Sequence, residues 1–449
     1  MLRRMSEKLL YLIQRTMRKT WWRCALFSLF AVLAVVLSTV LGPWIPAHVA
    51  LRMGSDSIDS LLNILASSML TVAIFSASTM VGSFTAVSNS ATPRASQLLI
   101  EDSTVQTTLA VFIGAFLYSV IALIGLHAHV YGDGGRLVLF GFTIVILLVV
   151  VVVLLRWIDY LSVLGRLGET IRRVEAATRA AMDQRLAKPY LGGLPQEDGA
   201  DGGEGARGAH AVDAPDTGFV QHVSMDLLQK CAERLDARLR LHVLPGAFVD
   251  PGTAIVSSDT MLDDAARRAI ADAVLIGPGR SFDHDPRFGL VVLGEIAARA
   301  LSASVNDPGT ATDVMTAMVK SLAHWSQARH ARDAEGRPEV VFDRVSAPAI
   351  DEAGMVDDAF LPVARYGAPA VDIGIALQRS LASVRRLRGT LPASAAALSA
   401  YALERARHAG LAQVDVELLE RAASKEGSKP VRAGNDDGPR QSIGSTTAD

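Results

Sequence analysis

Residues 137–155 read LVLFGFTIVILLVVVVVLL, an apolar run without charge or proline, of about the length a helix needs to cross the hydrocarbon core of a bilayer. Arg156 follows at once, and the charged pattern beyond it keeps helical spacing. The reading is a span whose helix leaves the lipid and continues into water as a stalk, tying a membrane half to a water-facing half.

Working towards the N-terminus, three more spans are predicted, from about Ala25 to Leu41, Leu61 to Val87 and Thr107 to Leu126, within a membrane domain over residues 24–157. Gly42, Pro43 and Pro46 stop the first. Residues 1–23 carry seven Arg or Lys against Glu7, interleaved with Leu and Ile, and read as a basic amphipathic arm on an anionic leaflet. A cleaved signal peptide is disfavoured, because the apolar segment runs on to Leu41 without a small-residue cleavage pattern. The second span differs in kind. Ser67, Thr71, Ser78, Gly82, Thr85 and Asn89 recur on one helical face, either as a hydroxyl-lined membrane path or as a close helix contact, the commoner use of small residues in lipid. Pro93 and Arg94 follow in what reads as a short loop, and Ser103 with Gln106 has the spacing of a capping box. His127, His129 and Asp133 have no fixed geometry in a short turn and are read as interfacial polar residues rather than metal ligands.

Positive charge concentrates in the N-terminal arm and after Arg156, which places both on the cytoplasmic side of a bacterial inner membrane and, with four spans, both termini there as well. None of the span cores contains Asp, Glu, Lys, Arg or His, so proton relays, voltage sensors and ion-coupled carriers are disfavoured, while a neutral pore or an anchor remains open. The chain has 449 residues, is half hydrophobic and carries a net charge of -2, which gives no basic face for nucleic acid. Cys24 and Cys231 fall in distant segments and offer neither a disulfide nor a metal cluster.

Between residues 158 and 187, Tyr160, Leu164, Leu167, Ile171, Val174, Thr178 and Ala181 make a short heptad-like seam. It can pair with the same helix of a second copy, giving a homo-oligomer, or lie on the protein's own domain. Residues 188–216 are dominated by Gly, Ala, Asp and Pro and read as a flexible linker. An α+β cytosolic domain is expected over 217–423, opening with a small sheet and passing into helices, with a polar tail over 424–449. In the domain, Met261 to Leu275 and Asp285 to Ser302 are predicted helices, and Asn306-Asp307-Pro308 a sharp stop and restart with Asp307 as N-cap. The fold class is thus a membrane α-helical part of four transmembrane helices followed by an α+β domain.

GR at Gly279, then DPRFG from Asp285, then EIAARALSASVNDPGTA from Glu295, together with Pro93-Arg94 and the PGAFVDPG turn from Pro245, are similar to the bacterial predicted membrane proteins grouped as domain of unknown function 2254. The resemblance runs from about Thr20 to Arg388. Ala303 and Ser304 stand where the family tends to have a proline, and the glycine-rich linker is unusually long. What the resemblance implies is a four-span membrane part and a cytosolic part, with no activity attached.

No P-loop, GxGxxG, HExxH, nucleophile elbow or paired-cysteine motif occurs, so no cofactor is expected. GPGR at Gly277 to Arg280 can cradle an anion or simply end an element. Asp283, His284 and Asp285 read as a solvated turn. The ligand-binding candidates are Ser302, Asn306, Asp307 and Thr310, whose polar groups gather where one helix stops and the next starts. The expected function is a non-enzymatic assembly with a ligand- or partner-binding domain and spans acting as an oligomeric pore or anchor. A membrane-bound enzyme using Asp283, His284, Asp285, Asn306 and Asp307 is the alternative, and a purely structural scaffold the third reading.

Overall fold

The computed structural model describes residues 20–41, 55–100, 102–196, 210–336 and 339–424. Residues 1–19 of the basic arm, residues 197–209 of the linker and the tail beyond residue 424 lie outside them.

The membrane part consists of α1 (Thr20–Leu41), α2 (Ser55–Ser90), the short α3 (Pro93–Ile100), α4 (Ser103–His127) and α5 (Asp133–Val163). All but α3 are long and apolar enough to cross a membrane. The Pro93-Arg94 segment, expected as a loop, is the first turn of α3; Pro93 lacks only an N–H that the first helical turn leaves unpaired anyway. α4 is the most buried of the four long helices and packs against α1 and α2. Gly114 permits the close approach of α1, since a Cβ there would lie 3.1 Å from that of Phe27. At the same end Arg23 of α1 donates to the Ser103 carbonyl (2.9 Å) and to Thr107 Oγ1 (2.7 Å) of α4.

The cap of α4 is Asp102, one residue ahead of the expected Ser103. Its Oδ1 accepts from the N–H groups of Thr104 (2.7 Å) and Val105 (3.3 Å), because a carboxylate is the stronger acceptor for the helix's free donors. Its Oδ2 accepts from Tyr160 Oη of α5 (3.0 Å) and from Arg173. Burial opposes ionisation of Asp102, but the Arg173 guanidinium and the Thr104 N–H outweigh it and hold the carboxyl below its ordinary range.

The fourth span does not run on into a stalk. α5 stops at Val163, and Gly165, at φ +84° and packed against Ser83, turns the chain before α6 (Leu167–Ala187). The seam is filled from within the chain: Ile171, Val174, Thr178 and Ala181 are buried, and α6 packs on two later helices, so this face is not free for a second copy. The helical register of the charges continues across the break, which is why the turn is invisible in the periodicity.

The α+β part continues with a 3-10 turn (Pro189–Gly192), β1 (Gly193–Pro195), β2 (Ala211–Asp213), β3 (Gly218–Val223), α7 (Met225–Leu235), β4 (Leu239–Leu241), β5 (Phe248–Val249), β6 (Ala254–Ser258), α8 (Asp264–Ala273) and β7 (Val274–Gly277). Then come α9 (Phe288–Ala300), α10 (Pro308–Glu335), β8 (Phe342–Ala347), α11 (Glu352–Tyr366), α12 (Val371–Val384), α13 (Leu391–Arg407) and α14 (Gln413–Ala423). The two ends of the glycine-rich stretch are therefore strands. One sheet has the order β1-β8-β4-β6-β2, with β8 parallel to β1 and β4 and the other pairs antiparallel; β5-β3-β7 forms a second, antiparallel sheet. The helix expected to reach Leu275 ends at Ala273 because Val274–Gly277 pairs with β3, long-range pairing overriding a helical pattern. Val220, Leu241, Val256 and Val345 form a core with Leu228 of α7 and Ile270 of α8.

A separate core unites α6 and α9 to α13 with the end of α2 and with α3: Val87, Ala91 and Ala95 pack in it beside Leu293 and Phe360. α2 has 36 residues, roughly 54 Å at 1.5 Å per residue, well beyond the roughly 30 Å of hydrocarbon. Its C-terminal end thus leaves the apolar bundle inside the helical unit, and Arg94 of α3 pairs there with Glu295 of α9.

Candidate ligand cleft

The chain crosses between the sheet unit and the helical unit several times, and three of these crossings line one cleft of about 320 Å³. Arg185 closes α6; Arg280, Asp285 and Arg287 lie between β7 and α9; Pro348 to Asp351 join β8 to α11; and the His242 to Ala247 turn between β4 and β5 supplies the remaining wall. Three of the motifs read in the sequence, GR at Gly279, DPRFG and the PGAFVDPG turn, thus meet here, although up to 40 residues separate Pro245 from Asp285 along the chain.

Asp285 is buried and organises the cleft. Its Oδ2 accepts from Arg280 Nε (2.7 Å) and its Oδ1 from the Arg287 N–H (3.1 Å). The Arg280 guanidinium lies over the Phe288 ring, 5.5 Å from its centre. Arg287 donates from Nε to Asp358 (2.6 Å) and from Nη1 to Asp351 (3.0 Å), which ties the start of α9 to α11. Gly246, at φ +97°, lets the β4–β5 turn rest directly on the Asp285 carboxylate; an added Cβ would collide with Oδ2. Arg185 differs from the other two arginines. It is 6% exposed, donates from Nη2 to the His284 carbonyl (3.1 Å), and forms an ion pair with no carboxylate among the described residues. Burial draws its pKa down to about 10, with the more distant charge of Asp285 opposing the shift.

Two histidines flank the site, and burial disfavours the charged form of each. Burial, then Arg240, lowers the pKa of His242, whose Nε2 lies 2.9 Å from Ser257 Oγ. No carboxylate among the described residues orients that ring, and Ser257 is not on the cleft wall, so the pair lacks the third member that activates a nucleophile. Burial, then His284, pushes His222 down to about 4, and the two rings lie 4.9 Å apart.

The residues singled out from the sequence divide between places. Asp283, His284 and Asp285 lie at or beside the cleft, and Arg280 of GPGR is on its wall. Ser302, Asn306, Asp307 and Thr310 come together at a different turn, past the far end of the 13-residue α9. There Asp307 caps α10, accepting from the Thr310 N–H (3.0 Å) and Thr310 Oγ1 (2.6 Å), and Asn306 takes a left-handed φ of +46°. Ser302 Oγ donates to the Arg299 carbonyl (2.7 Å). The five-residue cluster behind the enzyme reading is therefore split by the length of α9. Ser67, Thr71, Ser78, Gly82, Thr85 and Asn89 do form one face of α2, and all six are exposed on the outside of the bundle; α2 buries Leu62, Leu65, Met69 and Ala73 instead. Thr71 and Thr85 donate to carbonyls one turn back, at 3.0 Å each, as hydroxyls in apolar surroundings do. Missed at the sequence level were Arg185, His242, Arg287 and Asp351. For Arg287 the DPRFG motif was a usable signal; for the others only tertiary proximity marks them.

Among the described residues no group of three His, Cys, Asp or Glu is placed to hold a metal ion. Residues 17–383 match the family described as "Predicted membrane protein (DUF2254)". No curated protein and no solved structure gives a significant match to the chain.

Proposed function

Because the chain belongs to the DUF2254 family of predicted membrane proteins, and the match takes in the apolar helices and most of the α+β part alike, we propose one function for the two together: a non-enzymatic membrane assembly whose α+β domain, on the cytoplasmic side, binds a small polar ligand in the cleft. The observation that carries this reading is the cleft itself. Its walls are the crossings between two separately cored units, so a ligand seated there bears on their relative position. The helical unit shares its core with the end of α2 and with α3, which supplies a packed route from the cleft to the spans. Ala349 lines the mouth at an exposed position, so Ala349→Trp obstructs the cleft without disturbing either core. In a thermal-shift screen of small polar molecules on the full chain in detergent, cleft ligands are expected to stabilise the native protein and to lose their effect in Ala349→Trp. Hits that stabilise both proteins equally count against the cleft.

The outward-facing hydroxyl stripe favours association of the spans through α2, giving either an oligomeric anchor or a pore lined by these residues. Gly82 has nothing within 4 Å of the place a Cβ would occupy, which leaves room for a close helix. Ser78→Cys, made in a Cys24→Ser background, is expected to form a disulfide-linked dimer in membranes, whereas Leu148→Cys on the exposed face of α5 is not. Equal cross-linking at both positions, or none at Ser78, would remove the α2 interface.

A further inference from the structure

We propose that the cleft takes a soluble phosphate or small phosphate monoester, anchored by the Arg185 guanidinium; this rests on the reading of the cleft as a ligand site and specifies its ligand. A guanidinium in a dry site is stable only with a counter-charge or a full set of acceptors. Arg280 has Asp285, and Arg287 has Asp351 and Asp358. Arg185, nine-tenths buried on the same wall, has a backbone carbonyl and no paired carboxylate among the described residues. Asp285, Asp351 and Asp358 thus answer Arg280 and Arg287, and Arg185 is the guanidinium on this wall left without a carboxylate partner among the described residues, so an oxyanion entering the cleft finds its counter-charge there. A tetrahedral oxyanion meets planar guanidinium forks bidentately, and several of them can share one phosphate.

Size and position narrow the class. About 320 Å³ is the low end of small-molecule pockets and suits a phosphate with a few further atoms, not a macromolecule. Arg185 lies in the last turn of α6, about 27 Å from Leu167 at 1.5 Å per residue. Leu167 is where the chain has just left its last apolar helix. That length of helix separates the cleft from the last apolar helix along the chain, so we assign the phosphate to solution rather than to a lipid headgroup, an assignment the phosphatidic acid arm of the test decides.

The test is calorimetric titration and thermal unfolding of the full chain in neutral detergent at constant chloride, with inorganic phosphate, glycerol 3-phosphate, glycerol, succinate and short-chain phosphatidic acid. Inorganic phosphate and glycerol 3-phosphate are expected to bind and stabilise, and glycerol is not. Arg185→Gln should leave the unliganded melting temperature equal or higher, because it removes an unpaired buried charge, while weakening phosphate binding on the order of tenfold to hundredfold. Arg280→Met, on the same cleft, gives a second measurement of the same loss should Arg185→Gln not fold. Succinate binding as tightly as phosphate overturns the phosphate class, and binding of phosphatidic acid alone overturns the soluble source. An Arg185→Gln protein that melts lower yet keeps its phosphate response shows the arginine to be a structural strut and overturns the proposal. If ligands blocked by Ala349→Trp turn out neutral or cationic, the cleft stands and the phosphate falls; if nothing bound depends on Ala349, both fall together.

Discussion

Glu352→Ala is expected to destabilise the helical unit by about 3 kcal/mol, the largest loss we anticipate from a polar substitution. Glu352 begins α11 and is 5% exposed, and its two oxygens serve three residues in two other segments. Oε1 accepts from Trp325 Nε1 of α10 (2.8 Å) and from Arg329, while Oε2 accepts from Thr390 Oγ1 (2.9 Å) just before α13. Removal leaves the buried indole N–H unpaired, a hole beside Trp325, and Arg329 without its acceptor. Glu352→Gln keeps an acceptor for the indole, and its amide N–H can donate to Thr390 Oγ1 in place of the bond that Oε2 accepted, so it should recover a good part of the loss. Chemical denaturation followed by tryptophan fluorescence separates the two; equal stability of Glu352→Ala and wild type would show that the cluster contributes nothing net.

Gly294→Val should be comparably damaging, about 3 kcal/mol, the upper range for overpacking. α9 and α11 cross at Gly294, where an added Cβ would sit 2.8 Å from the Asp358 carbonyl oxygen and 3.2 Å from Pro362 Cγ. The clash is with backbone, so no side-chain rotation relieves it. Pro362 lies inside α11 and has no N–H to give the Asp358 carbonyl four residues earlier, so the helix is already weakest where α9 leans on it. Gly294→Ala should cost less than Gly294→Val but more than its gain in helix propensity returns. Limited proteolysis and melting temperature are the readouts, and an unchanged melting temperature for Gly294→Val would mean that the helices do not cross this closely.

The apolar helices and the Asp307 cap were legible because each is a local matter: a run of apolar residues of bilayer length has one comfortable solvent, and a carboxylate before Pro308 has donors within one turn. The same locality misled at Gly165, where charge spacing continues through a break, and at Val274, where a helical pattern yields to pairing with β3. α11 was not read at all, since Pro362 and two adjacent aspartates obscure its periodicity.

By itself the sequence determined that the first third of the chain belongs with lipid, that an α+β part follows, and that six small or polar residues share a face of α2. Which way that face points was a tertiary decision, because Leu62, Leu65, Met69 and Ala73 bury more apolar area against α4 and turn the stripe outward. The cleft was likewise decided only by folding. Arg185, His242, Asp285 and Asp351 lie in four segments whose spacing along the chain carries no signal, and they become neighbours because two cores form on either side of the crossings that join them.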